Sequence, residues 1–367
     1  LHIPFCKTRQ TSTTRGKCIY CDFLSFSGYD DFIPAYLNQL CREMELYRGT
    51  KIETVYCGGG TPSILSPADY ELVFTAINKN FSGEVTEISL EANPGTLTRD
   101  KIRVLREGGV NRISLGVQSF NNIFLDWLGR DYTAGVVEET VNLLRQYGFD
   151  NINLDLLLAI PGQQLRDWER ELVQALKLAP EHLSVYALTI EPKTVLATMV
   201  SNKTAVPADE NTEREMYYYT LDYLAAQGYG HYEISNFARN YSRRCRHNLN
   251  YWRNGEYIGL GLGACSYLDG ARVYNTNNLQ TYLAAPASLS SFRAETERLA
   301  GKEKFAERIM LGLRLRAGLD LTDEEQHIFA DEFRQLHHAG LVDFRPPHIN
   351  LTRAGLFLSN YVFRTLF

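Results

Sequence analysis

Between residue 1 and about residue 190, short apolar or β-branched runs alternate with longer stretches whose apolar positions recur at helical spacing. The short runs predict six strands: Leu1–Pro4, Thr54–Cys57, Glu87–Glu91, Asn111–Gly116, Asn151–Leu157 and His182–Ala187. The amphipathic stretches predict helices over Asp31–Tyr47, Pro67–Asn80, Arg99–Glu107, Ala134–Tyr147 and Arg166–Leu178. A strand followed by a helix, repeated in this way, builds right-handed βαβ units. The expected architecture is therefore α/β, a parallel sheet left open or partly closed as a partial parallel (β/α) barrel. Its chemistry belongs in the loops at the C-terminal ends of the strands.

Beyond residue 190 the rhythm changes. Asn211–Gln227 reads as a helix, Tyr229–Asn236 as extended chain, and Arg243–Tyr267 as a polar and aromatic segment in which Gly259–Gly263 is too flexible for a helix interior. Lys302–Leu315 and Leu321–His338 then read as helices, Gly340–Asn350 as a hairpin around Pro346-Pro347, and Thr352–Leu366 as a last helix. Three units are expected: the barrel over 1–200, an extension over 201–295, and a C-terminal helical, winged-helix-like module over 296–367. Such a module either binds DNA or packs against the barrel, and without an excess of basic residues the packing role is favoured.

Composition narrows the class. Of 367 residues, 44% are hydrophobic and 22% charged, enough for a folded core and unlike a disordered or collagen-like chain. No run approaches the roughly 18 consecutive apolar residues of a spanning helix, and the first residues form no signal peptide. With 38 Lys and Arg against 43 Asp and Glu, the net charge is -5, so no nucleic-acid partner is expected. Seven cysteines, an odd number spread through the chain, argue for a reducing compartment rather than a disulfide framework. The cytoplasm is the expected location. An organelle matrix is the alternative if an N-terminal extension is missing, since the sequence begins inside the first predicted strand.

Three thiols, Cys6, Cys18 and Cys21, crowd the loop after that strand. Three thiolates can ligate three irons of a [4Fe–4S] cluster and leave the fourth iron open. Zinc would need a fourth ligand, for which His2 is close enough in sequence. Spacing alone leaves cluster, zinc and no metal open. Gly58-Gly59-Gly60 after the second strand is either a turn or a place where backbone approaches a ligand closely. Cys41 and Cys57 read as small core residues.

The residues flanking the thiols, His2-Ile3-Pro4-Phe5-Cys6-Lys7-Thr8-Arg9 and Cys18-Ile19-Tyr20-Cys21-Asp22-Phe23, resemble the cluster loop of radical S-adenosylmethionine (radical SAM) proteins. The usual spacing there is C-x3-C-x2-C; here eight residues, Gln10–Lys17, stand before the second cysteine. Tyr56–Ser63, Ser89–Pro94, Ser114–Asn121, Asn151–Leu157, Tyr232–Ala238 and His247–Trp252 are similar to motifs of the oxygen-independent coproporphyrinogen III oxidase group. Within that group they resemble the HemW heme chaperone branch.

The resemblance implies a barrel of the radical SAM type and a [4Fe–4S] cluster on Cys6, Cys18 and Cys21. It also implies S-adenosylmethionine held by Gly58, Gly59, Gly60, Thr61, Glu91, Gln118, Arg130 and Asp155, with heme bound through His247 in His247-Asn248-x2-Tyr251-Trp252. Taken bare, that histidine reads as a structural hydrogen-bonding residue. Oxidases usually carry a fourth cysteine two residues after the third; here Phe23 stands in its place, as in the chaperone branch. The implied function is a chaperone that binds heme and delivers it to acceptor proteins, some of them at a membrane, with an electron donor for the cluster. Whether the chain is also an enzyme stays open. The alternatives are oxygen-independent coproporphyrinogen III oxidation and a degenerate scaffold whose insertion has broken the cluster loop. Tyr132 and Cys265 stand where relatives commonly show histidine.

Overall fold

All six predicted strands form, and they lie side by side. A computed structural model describes residues 1–367, the side chain of residue 15 excepted. The strands are β1 His2–Ile3, β2 Thr54–Gly59, β3 Glu87–Ala92, β4 Arg112–Gln118, β5 Ile152–Leu158 and β6 His182–Ala187, parallel and in sequence order. The hairpin β7 Gly230–Glu233 and β8 Asn236–Ala238 adds two antiparallel strands, giving the order β1-β2-β3-β4-β5-β6-β8-β7. The extended stretch expected over Tyr229–Asn236 is thus a hairpin that continues the main sheet, so residues beyond 200 share its architecture.

The connecting helices occupy Ile33–Glu45, Pro67–Asn80, Arg99–Glu107, Ala134–Gln146 and Leu165–Lys177. Their ends follow local chemistry. Ser66 and Asp69 form a reciprocal capping box ahead of Pro67, and the Thr98 side chain accepts from Lys101 N.

Cross-strand register gives the sheet two unlike faces. Ile113, Leu115 and Val117 of β4 are buried in the apolar layer shared with the helices. Ser89 pairs with Arg112, Ser114 with Asn153, Asn153 with His182, and Asp155 with Ser184. Paired residues share a face, so the concave side is polar. Several of its groups bond one another: Asn153 Nδ2 lies 2.7 Å from Ser114 Oγ, 2.7 Å from Asp155 Oδ1 and 2.9 Å from Ser184 Oγ.

At the C-terminal end, the helix Gly301–Leu313 is followed by two short helices, Asp323–Ile328 and Ala330–His338, where one was expected. The break falls at Phe329, which is fully buried and turns its ring toward Phe333 with centroids 5.8 Å apart. Val342–Arg345, His348–Leu351 and Leu319–Asp320 form the small antiparallel sheet of a winged-helix-like module. The last helix is also divided, into Arg353–Phe357 and Ser359–Thr365. No helix among the described residues is long and apolar enough to cross a membrane.

Candidate functional site

The C-terminal ends of β1 to β5 bring most of the expected site residues together. Immediately after β1, Phe5–Cys6 pairs in parallel with Phe26–Ser27, which folds the cysteine loop back on itself. Gly60 packs under this turn: a Cβ there would lie 2.6 Å from the Phe5 carbonyl oxygen and 3.0 Å from Cys6 Sγ. Only glycine allows that approach. Thr61 Oγ1 donates to Cys6 Sγ at 3.6 Å.

The inserted residues fold outward. Arg9–Gln10 pairs antiparallel with Arg15–Gly16, Arg9 opposite Gly16, so the two ends of the insertion lie beside each other. Thr13 Oγ1 donates to the Asp126 and Trp127 carbonyls at 3.1 and 3.0 Å, and Ser12 Oγ bonds Asp126. Lys7 and Arg9 both reach Asp131, at 2.8 and 3.3 Å. The hairpin rests on the loop after β4 and walls a cleft of about 270 Å³ lined in part by Gln10, Thr11, Asp126 and Arg130. Cys18 follows beside Gly129, and Cys21 N donates to Cys18 O at 3.3 Å in a tight turn.

All three thiols are free and half-buried. The group they must fit is a cube that takes each thiolate at a different iron, which asks for thiols spread around one loop rather than converged on a point. Three free thiols carried on one loop, with Cys18 and Cys6 both within charge reach of Cys21, are chemically the donor set such a group takes. Among the described residues no three His, Cys, Asp or Glu side chains converge as a single ion requires. His2 is engaged elsewhere: its Nδ1 bonds the Leu262 carbonyl and its ring packs against Gly59.

Arg130 ties the strand ends together. Its Nη1 donates to Asn93 Oδ1 at 2.8 Å and its Nη2 to the Tyr20 hydroxyl at 2.6 Å, while Asn93 Nδ2 donates to Thr61 Oγ1 at 3.1 Å. A continuous chain thus runs from Tyr20, between the close cysteines, through Arg130, Asn93 and Thr61 to Cys6. Gln118 ends β4 in the left-handed region with φ 66, after a bulge, and its Nε2 and Asn93 Oδ1 both crowd the space over Gly116. A residue held there against its preference marks a constrained position. Tyr132, on the next loop, donates to the Gly116 carbonyl at 2.6 Å.

Glu91 and Asp155 lie lower on the same face. Tyr56 OH donates to Glu91 Oε1 at 2.8 Å, and Gly59 N to Glu91 Oε2 at 3.3 Å. Burial, with the charge of Asp155 added, pushes the Glu91 carboxyl up to about 7. Burial likewise raises Asp155, against the bonds from Ser184, Asn153 and Ser114. These carboxyls are neutral more readily than ordinary ones, and suit hydroxyl or ammonium partners that keep them charged.

His247 lies apart from the cysteine loop. It sits on the helix Arg246–Trp252, whose N-terminus is capped by Glu87 through Arg246 N at 2.9 Å and His247 N at 3.2 Å. Its Nδ1 bonds Thr54 Oγ1 at 2.8 Å at the start of β2, and its Nε2 bonds the Tyr251 hydroxyl at 2.9 Å. The ring stacks on Tyr56 at 5.2 Å, and burial pushes the imidazole down to about 3. Both ring nitrogens thus meet protein hydroxyls, an arrangement that matches the bare reading of the residue as a hydrogen-bonding one.

Asn93, Tyr20 and Tyr56 were missed as site residues. The signal for Asn93 was its place in Asn93-Pro94 just beyond a strand; Tyr20 and Tyr56 gave none beyond proximity to the motifs.

The chain matches the radical SAM superfamily over residues 2–174 and the HemN C-terminal domain over residues 299–358. It is 36% identical to heme chaperone HemW of Lactococcus lactis subsp. lactis, covering 99% of this chain and 95% of that protein. The chain belongs to the HemW family. HemW of Bacillus subtilis is 34% identical over 99% of this chain and 97% of its own length. The fold is similar to that of coproporphyrinogen III oxidase (HemN) from Escherichia coli, a radical SAM enzyme, with a TM-score of 0.83 at 22% identity over 100% of this chain and 88% of that one. At that identity the likeness concerns the fold alone. Membership in the radical SAM superfamily implies a [4Fe–4S] cluster and S-adenosylmethionine as the cofactors of a HemW protein.

Proposed function

We propose that this chain is a heme chaperone: it binds heme and passes it to acceptor proteins, on a scaffold that also holds a [4Fe–4S] cluster and S-adenosylmethionine. The observation that carries the reading is full-length similarity to HemW proteins. Phe23 in the position of the oxidases' fourth cysteine supports it. The three units expected from the sequence serve it as a cofactor-binding barrel over 1–200, a connecting extension over 201–295 and a docked module over 296–367.

Cys6, Cys18 and Cys21 would hold the cluster. When bound, it supplies one-electron reduction of the sulfonium. Gly58 to Gly60 and Thr61 offer backbone groups to the amino acid end of S-adenosylmethionine, while Glu91, Gln118, Arg130 and Asp155 offer the charged and amide partners. The chain's own task is to orient the sulfonium beside the cluster and exclude water. No protein acid or base is needed for that step.

The test is an anaerobic hemin titration followed by the Soret band. Saturable binding near one heme per chain, with transfer to an apo-protein acceptor, supports the chaperone. Absence of saturable binding, together with carbon dioxide release from coproporphyrinogen III, would overturn it in favour of the oxidase.

A further inference from the structure

The seam between the sheet's last hairpin and the C-terminal module holds several polar groups without partners. Ile234 N donates to the Arg314 carbonyl at 3.1 Å, Arg316 N donates to the Tyr232 carbonyl at 3.0 Å, and Glu233 bridges Leu315 in antiparallel fashion. The segment 314–316 is thereby fixed along the edge of β7. The Arg314 guanidinium lies 4.3 Å above the Trp252 ring and 5.8 Å from that of Phe363. Arg314 Nε and Trp252 Nε1 are buried without acceptors, and Asn236, 3% exposed, leaves its Oδ1 without a donor. Buried polar atoms are nearly always paired, and here two unpaired donors from separate segments, Arg314 Nε and Trp252 Nε1, belong to side chains in contact.

The guanidinium also has no carboxylate within ion-pair distance among the described residues. Glu233, whose charge reaches it, is bonded to Asn236 Nδ2 and to Ser235 N, and burial holds its carboxyl toward the neutral form. A planar guanidinium stacked on an indole is pre-organised for a carboxylate and loses little freedom on meeting one. Tyr186, 40% exposed at the end of β6, also lies within charge reach of Arg314, adding an accessible ring beside the cation.

We propose that Arg314 and Trp252 form a subsite for the carboxylate edge of a flat aromatic ligand at this seam. The inference rests on the heme reading and deepens it: heme is such a ligand, and its propionates are the carboxylates received here. The site draws on the sheet edge, the helix Arg246–Trp252 and the C-terminal module, so the ligand would bind only where all three are docked.

The test compares hemin with hemin dimethyl ester, which keeps the iron and the ring and lacks the carboxylates, on the full chain. Wild type is expected to bind hemin about tenfold more tightly than the ester. Arg314→Gln is expected to reduce hemin to the ester's affinity while leaving the ester unchanged; Trp252→Phe, which keeps a ring and removes the N–H, loses part of the preference. Equal affinity of wild type for both ligands, or an undiminished preference in Arg314→Gln, overturns the subsite and leaves the heme reading standing. Failure of wild type to bind either ligand overturns both. Should Arg314→Gln fail to fold, the two-ligand comparison on wild type and on Arg314→Lys decides the question.

Discussion

Glu91 and Asp155 are two half-buried carboxyls on one polar face, both raised by loss of water, Glu91 also by the charge of Asp155. An acid whose folded-state value exceeds its unfolded one stabilises the fold below the unfolded value, and that contribution is lost as pH rises through the folded one. For Glu91 the window runs from 4.5 to about 7, and the loss is on the order of 3 kcal/mol at most. Calorimetry of the cofactor-free chain should therefore show Glu91→Gln equal to wild type near pH 5 and more stable near pH 8. His247→Ala removes a ring stack and two hydrogen bonds, and is expected to cost about 2–4 kcal/mol in urea unfolding. Because both ring nitrogens face protein hydroxyls, the Soret position of the hemin complex should stay unchanged. A shifted band would return His247 to the iron. The identity of these residues was legible in the motifs. Their states were not, since burial and neighbouring charge belong to the folded surroundings.

The inserted hairpin is the element that sets this chain apart from the usual cysteine spacing. Its ends are paired, Arg9 to Gly16, so the chain re-enters the loop close to where it left. Deleting residues 10–17 restores C-x3-C-x2-C and should leave iron and sulfide content after anaerobic reconstitution unchanged. A deletion variant that alone takes up the cluster would show the hairpin to be disruptive. Gly60→Ala presses a methyl into the Phe5 carbonyl and toward Cys6 Sγ. It is expected to lower the iron content several-fold while costing about 1–3 kcal/mol of stability. Sequence periodicity placed the helix Pro67–Asn80 with its boundaries intact because its capping box and Pro67 are local signals. It ran the helix through Phe329, because nothing local reveals that this ring must enter the core.

At the scale of the molecule, one apolar core joins the helices around the sheet to the C-terminal module: Leu40, Ile113 and Leu172 belong to the same cluster as Leu313, Phe333 and Val362. Backbone bonds between 232–234 and 314–316, and the Arg353–Asp222 ion pair, add to the seam, though an exposed pair of that kind contributes less than about 1 kcal/mol. A shared core predicts cooperative unfolding. Tryptophan fluorescence and far-UV circular dichroism should give coincident urea transitions for the whole chain; separated midpoints would mark the C-terminal module as independent.

By itself the sequence determined the parallel α/β order, the helical terminus and the family, because strand and helix periods and ordered motifs are written in neighbouring residues. Only the tertiary structure decided that the hairpin 230–238 extends the main sheet, that Asn93 links Arg130 to Thr61, and that His247 points at Thr54 and Tyr251. Those partners stand far apart along the chain, and no local pattern encodes which distant strand or hydroxyl a polar atom will meet once water is excluded.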